Sequence, residues 1–508
     1  MEVQGVGGAG GRTAFFERTA VAIACLGMIG SCAGVAIATV VARALGVAPL
    51  LPAAAGTVLG MLVCCVLWRR RLAARLPAEL DGWFGKRRIL SVVWFITMLL
   101  SVANTSRLGL FVADPSQAWG AAFPPIPELG RHQCLAAYVR AADLAAQGQA
   151  SLWNLADYAS PAGDAPPSAA LPCHVRGLSP YLGDPFEYPP TFAVFPRAAL
   201  AVTDDYQILR AAWFGISAVG FWLVFVGLAI GIRGRAGATS LLLAPVVALS
   251  MPVTVGLQFG QAHLLVVAAA VAAMMQFARG RPLTGGLLLG FATATKIFPG
   301  LLLVHLAVRR QWRAVAATLA AIAALIGLSA LVLGTSTLAA YLSEHVPRMA
   351  SGEAFAFSEH SPDNYAPYGL AFKLAALGVD GADRHLASLL AWGWGVIALI
   401  LAVLGSRGPS EPRRDAVVWL GILCLATLRS PFAPTYTAVG TLWLLSIAVG
   451  ATTPRRWLTT LVAIAWVLLQ GFPPVFSAGG NALASLPSQA ATIAIAVLAV
   501  WPRRSPAL

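Results

Sequence analysis

Apolar runs close to the ~20 residues that a helix needs to cross a bilayer recur from one end of this chain to the other. Residues 19–42 read TAVAIACLGMIGSCAGVAIATVVA. That run is longer than the apolar part of a signal peptide and has no clear cleavage pattern behind it, so it reads as a retained helix. Apolar residues make up 58% of the chain and charged residues 11%, against roughly 25% charged in a soluble domain. No soluble domain of independent size fits between the runs, and the fold class is an all-α polytopic membrane protein.

The net charge of +14 reports topology. Basic clusters at Arg69–Arg71, Lys86–Arg88, Arg233/Arg235, Arg279/Arg281, Arg309/Arg310/Arg313, Arg413/Arg414, Arg455/Arg456 and Arg503/Arg504 sit in short loops between apolar runs. All of them can be placed on one side, which the positive-inside rule makes cytoplasmic. A nucleic-acid interface would need a water-exposed basic face, and none is implied. The expected layout is a cytoplasmic tail (1–18), one multi-span domain (19–501) and a cytoplasmic tail (502–508), in an inner (cytoplasmic) membrane. About twelve spans are expected, centred near residues 30, 58, 100, 219, 247, 269, 324, 395, 422, 441, 465 and 493. Leu283–Val308 has basic residues at both ends and only 26 residues, too few for two crossings. Two half-helices folded back at Lys296–Pro299 satisfy the charge rule, and such breaks are tolerated where they line a protein cavity. A single long tilted helix is the alternative.

All acids except Glu2, Glu17, Glu79, Asp81, Glu411 and Asp415 fall on the other side. Two outer loops, about 113–206 and 335–385, hold most of them, together with His132, His174, His345, His360 and His385. In the first loop HQCLAAYVRAADLAAQGQASLWNLADY has apolar residues at helical spacing and Gly148 as a stop; a helix lying on the membrane surface is expected. Cys134 and Cys173 share this loop, where an oxidising compartment would permit a disulfide; two free thiols are the alternative. The other cysteines lie in apolar spans without metal-ligand spacing. No metal cluster is implied, which leaves room only for a divalent cation held loosely by outer carboxylates. A Gly-rich nucleotide-binding turn is also lacking.

Three stretches, GDPFEYPPTFAVFPRAAL (183–200), GQAHLLVVAAAVAAM (260–274) and GGLLLGFATATKIFPGLLLVHLAVRRQWRA (285–314), resemble in order and spacing the signature regions of the family 87 glycosyltransferases. The resemblance covers most of residues 90–450. It implies a GT-C-like bundle with short re-entrant half-helices and two long extracytoplasmic loops. The implied reaction, typified by alpha-1,2-mannosyltransferases of bacterial cell envelopes, moves a sugar, mannose first, from a polyprenyl-phosphate donor to a lipid or glycan hydroxyl outside the cytoplasmic membrane. The expected partners are the lipid-linked donor, the acceptor and membrane lipids, with no tightly bound cofactor.

Such a reaction needs a carboxylate or imidazole to take the acceptor proton and cations for the leaving phosphate. Pro189–Pro190 re-aim the chain into the membrane, so Asp184, Glu187 and Tyr188 are expected at the lip of a cavity. An Asp184–Pro185 turn is the plainer reading of that acid. Lys296, Arg348 and Arg429 are the candidate phosphate partners. Lys296 interrupts an apolar stretch, and an ionisable residue there is a functional candidate, with snorkelling to the headgroups as the alternative. Gln261 and His263 open an apolar helix and are either pocket residues or backbone caps. Family members usually carry an acid shortly before the aromatic that corresponds to Tyr138. Here Arg131-His132-Gln133-Cys134 stands in its place, so Asp114 or His132 becomes the alternative base. In SEHSPDNYAPYGL (358–370) His360 and Asn364 are candidates for sugar hydroxyls, with Tyr365 or Tyr368 stacking on the ring; an Asx turn is the other reading of Asn364. A lipid-glycan flippase, a polymerase or ligase and an inactive relative are the rival functions. The first would show internal repeats and polar groups deep in the spans, and the motifs above favour the transferase.

Overall fold

The computed structural model describes residues 9–124, 126–158, 172–179, 181, 185–361, 363–451, 456–471 and 477–501. Regular structure among them is helical. The main helices are α1 (Ala9–Ala44), α2 (Leu50–Ala73), α3 (Arg88–Ala113), α4 (Cys134–Ala146), α5 (Pro190–Leu200), α6 (Tyr206–Ile232), α7 (Gly234–Ala248), α8 (Met251–Gln258), α9 (His263–Ala278), α10 (Pro282–Thr295), α11 (Leu302–Val308), α12 (Trp312–Leu333), α13 (Pro367–Ala376), α14 (Arg384–Ser406), α15 (Pro412–Thr427), α16 (Val439–Ala451), α17 (Arg456–Leu468) and α18 (Ala478–Val500).

Each expected span centre falls inside a helix, but not every one of these helices is long enough to cross a bilayer unaided. Among the described residues seven helices are long and apolar enough to cross a bilayer: α1 from Glu17, α2, α3, α6, α12, α14 and α18. The pair α7 and α8 makes an eighth if its 56° bend is counted within one span. The physical reason is local breakage. Ser250 is extended ahead of Pro252 in the first turn of α8, and α9 and α16 run only 16 and 13 residues. Hydropathy finds apolar segments; it does not see where they bend.

Packing in the bundle relies on residues without side chains. Lipid tails are as apolar as leucine, so helices in a membrane associate through close backbone contact. Gly30 and Gly34 of α1 face Gly56 and Gly60 of α2, and a β-carbon on Gly34 would overlap the Gly56 carbonyl oxygen. Gly286 and Gly290 of α10 likewise lie against Ala317 and Ala321 of α12.

The segment 283–308 is a hairpin. α10 ends at Lys296, whose backbone is extended (φ −137°, ψ 126°); a short turn at Phe298–Leu301 follows, then α11. Pro282 at its start and Arg310, Gln311 and Trp312 just past its end line one hollow, so the chain leaves and returns at the same end of the bundle. Ion pairs gather at that end: Arg309 with Asp415 at 3.0 Å and Arg18 with Asp81 at 2.8 Å. Lys296 therefore sits at the tip, inside the bundle.

At the opposite end the first long loop folds inward. Helix α4 is buried at every residue from Cys134 to Leu144, which overturns the expectation of a helix on the membrane surface. Its polar side chains are satisfied within the protein: Arg140 pairs with Asp143 at 2.7 Å and donates to the Pro172 carbonyl at 3.0 Å. The Leu135 amide bonds to the Phe259 carbonyl at 3.2 Å. An amphipathic pattern marks a helix with one apolar side; protein, not lipid, covers this one. Gly148, at φ +78°, lies just past the helix end, as expected for a C-terminal stop. Cys134 and Cys173 are both free thiols, the first buried and the second exposed.

Candidate active site at the tip of a re-entrant hairpin

Three chain breaks converge at Lys296. The first is Pro189–Pro190, where Pro189 is extended (ψ 150°) and Pro190 starts α5, so Glu187 and Tyr188 are held in the extended chain before it. The second is Gly260-Gln261-Ala262 ahead of α9. Gly260 has φ +63° and lies so close to Leu135 that a β-carbon would meet that side chain; glycine is the residue suited to this turn. The third is the hairpin tip itself. The Thr191 hydroxyl donates to the Ala294 carbonyl and ties the first to the third.

Where they meet, the Gln261 carbonyl oxygen accepts from the Tyr138 hydroxyl at 2.8 Å and from the Tyr188 hydroxyl at 2.6 Å, and the two hydroxyls are 2.6 Å apart. Two protons serve three contacts, so the triangle is an adjustable hydrogen-bond set. Gln261 Nε2 donates to Cys134 Sγ at 3.2 Å. Lys296 Nζ lies 5.0 Å from the centre of the Tyr188 ring and 5.9 Å from that of Tyr436, within cation–π range of both. His263 stacks on Phe298 at 5.2 Å, and its Nε2 has no hydrogen-bond partner among the described residues.

One residue before Tyr188, Glu187 lies 3.1 Å from Nε2 of His345. His345 comes from the second loop, in a π-helical turn at Tyr341–His345, and is completely buried. Trp153 stacks on its ring at 5.2 Å and donates from Nε1 to the Tyr188 carbonyl at 3.1 Å. Arg348 donates to the Trp153 carbonyl at 3.3 Å and pairs with Glu353 at 3.4 Å. Burial first, and the Arg348 guanidinium second, lower the His345 pKa to about 3. At neutral pH the ring is therefore uncharged, and its contact with Glu187 is a close approach at 3.1 Å without hydrogen-bond alignment.

The remaining candidates are placed elsewhere or are already engaged. Asp114 caps α3 and accepts from Ser116 and Gln117 at 2.8 and 3.1 Å. Partial burial raises its pKa, but these bonds outweigh that and the net shift is downward. His132 lies edge-on to Phe259 at 4.6 Å, with Nε2 3.9 Å from Cys134 Sγ. Asp184 lies outside the described residues, as does the side chain of His360. Asn364 is fully buried. Its Nδ2 donates to the Pro431 carbonyl at 2.8 Å, and its Oδ1 accepts from the amides of Ala366 at 3.1 Å and Ala433 at 3.0 Å. It is an Asx bridge fastening the second loop to the segment that carries Tyr436. Tyr365 and Tyr368 are also buried. Arg429 stacks on Trp392 of α14 at 4.8 Å.

Sequence reasoning left His345, Trp153, Tyr138 and Tyr436 out of the site. His345 stood among the loop histidines with no motif around it, and only the folding of one loop onto the other pairs it with Glu187. Trp153 and Tyr436 carried no signal beyond being aromatic.

Residues 186–431, which contain Glu187, Gln261, Lys296 and His345, match the family model of glycosyltransferase family 87. The match covers just under half of the chain. No curated protein and no solved structure matched. The match supports a glycosyltransferase, and the matched stretch runs from the Glu187–Tyr188 lip through the hairpin to the Pro431 bridge. Tyr138 and Trp153 precede it and come from the first loop.

Proposed function

We propose that this chain is a family 87 glycosyltransferase that transfers a glycosyl unit, mannose being the first candidate, from a polyprenyl-phosphate donor to a hydroxyl of a lipid or glycan acceptor on the extracytoplasmic side of the membrane. The observation that carries the reading is Lys296 at the hairpin tip, over Tyr188 and Tyr436, one residue along from the Glu187–His345 pair.

In this reading Glu187 is the general base. The acceptor oxygen forms a bond to the anomeric carbon, the bond from that carbon to the phosphate oxygen breaks, and the acceptor proton passes to the Glu187 carboxylate. Lys296 offsets the charge that grows on the departing phosphate, and the Tyr138–Tyr188–Gln261 set offers hydroxyls to its oxygens or to the sugar. His345 holds Glu187 in position. His263 has an unused ring nitrogen for a second polar contact. Asn364 positions Tyr436, and Arg348 positions Trp153. The basic clusters at the opposite end support an extracytoplasmic site through the positive-inside rule.

The test is transfer from radiolabelled polyprenyl-phosphate-mannose by purified protein in lipid, with Glu187→Gln, Asp184→Asn, Asp114→Asn and His132→Ala compared with wild type. Loss confined to Glu187→Gln supports the assignment. Loss confined to another of the four moves the base there, and no product from wild type with several donors removes the reading.

A further inference from the structure

A second hollow lies apart from the Lys296 cluster, at the ends of α1, α3 and α6. Its volume is about 520 Å³, and Phe111, Phe123, Ile126 and Tyr181 supply apolar wall while Arg43, Arg131 and Gln207 supply polar points. Most of its lining precedes the segment matched by the family model.

Behind this wall stands Arg210, three residues after Gln207 and so on the same face of α6. It is only 2% exposed. Nη1 donates to the carbonyls of Phe111 and Val112, each at 3.2 Å, and to the Tyr181 hydroxyl at 3.3 Å. Its guanidinium stacks on the two wall rings, 4.9 Å from Phe111 and 5.2 Å from Tyr181. Among the described residues Nε and Nη2 are buried with no hydrogen-bond partner, and Nε of Arg43 is in the same condition. Among the described residues Asp114 acts on Arg43 electrostatically, but its oxygens accept from Ser116 and Gln117. A buried charge with donors unmet is costly, and an anion held in the hollow by Arg43 and Arg131, across the Phe111 and Tyr181 rings from Arg210, would offset its field.

We infer that this hollow is a binding site for the phosphate of an anionic membrane lipid, with Arg43 and Arg131 at its rim and Arg210 as the buried positive charge behind it. The position argues for a lipid as the carrier of the phosphate. The hollow opens at the end of the spanning helix α1, whose residues Ile37, Val41 and Leu45 are exposed beside Arg43 and can contact acyl chains. Trp119 is exposed next to the lining residue Ala118, as is common for aromatics at headgroup depth. This inference stands independently of the proposed transfer reaction.

The test uses the full-length protein in a neutral detergent, titrated separately with phosphatidylglycerol, phosphatidylcholine and inorganic phosphate. Binding is read by native mass spectrometry and by thermal shift. The expected result is saturable retention of phosphatidylglycerol over phosphatidylcholine, weakened about tenfold or more in the Arg43→Gln/Arg131→Gln double variant, since bonds to charged groups are the stronger ones. Both rim residues are partly or fully exposed, so this variant keeps its fold where Arg210→Gln endangers it. Unchanged phosphatidylglycerol binding in the rim variant overturns the site. Equal binding of phosphatidylcholine does the same, and a response to inorganic phosphate without one to lipid overturns the lipid assignment.

Discussion

Replacing Lys296 with methionine separates catalysis from folding. The substitution keeps the unbranched apolar stem and removes the ammonium, so the space at the hairpin tip stays filled. On the stability side it removes two cation–π contacts, at 5.0 and 5.9 Å, each contributing about 0.5–1 kcal/mol. Against that loss it relieves the cost of holding a charge inside the bundle, so the two changes largely cancel and the melting temperature moves by only a few degrees. On the catalytic side the ammonium faces the phosphate only if the phosphate docks at Tyr188. Removing one preorganised charge-stabilising donor lowers turnover by about 10²–10³. The assay is steady-state transfer of label from polyprenyl-phosphate-mannose by protein in nanodiscs, with melting followed in the same preparation. Lys296→Arg should recover part of the rate, because the charge returns in a bulkier form. A Lys296→Met protein that melts like wild type and keeps kcat/KM within about threefold would show that no charge develops beside this lysine.

Glu187→Gln should lower turnover by about 10²–10⁴, the usual contribution of a general base, while Asp114→Asn, whose carboxylate is engaged by its own turn, should stay within about twofold in the same assay. The pKa of His345 is depressed to about 3 from an ordinary ~6.5. The stability it contributes is therefore complete above pH 6.5 and drains away as pH falls from there toward 3; melting curves between pH 8 and 4 should show this slope, flattened in His345→Gln. Asn364→Ala removes three buried backbone contacts and should destabilise by about 2–4 kcal/mol, visible as a lower melting temperature that saturating donor partly restores. Gly34→Leu places a side chain where the Gly56 backbone stands and should separate α1 from α2, read as loss of protein from the detergent-soluble fraction.

The helical membrane body and the hairpin were legible in the sequence because each rests on a local rule. A span shows itself by some twenty apolar residues in a row, and the hairpin by basic residues at both ends of a segment too short to cross twice. Where the helices break was not legible. Breaks such as the one at Ser250–Pro252 depend on what the freed backbone groups meet in three dimensions. Helix α4 shows the same limit. Its periodicity correctly announced a helix with one apolar side, yet the pattern is identical whether lipid or protein lies against it.

The site divides along the same line. Sequence alone determined that Glu187, Tyr188, Gln261 and Lys296 stand at chain breaks, because prolines, glycines and an ionisable residue within an apolar run act on the chain locally. Tertiary structure decided which of them meet. It stacked Tyr188 and Tyr436 around Lys296, brought His345 to Glu187 across more than one hundred and fifty residues of chain, and turned Asn364 from a candidate sugar ligand into a backbone bridge. Contacts of that range are set by how buried polar groups find partners once the helices have packed, and no local pattern records that outcome.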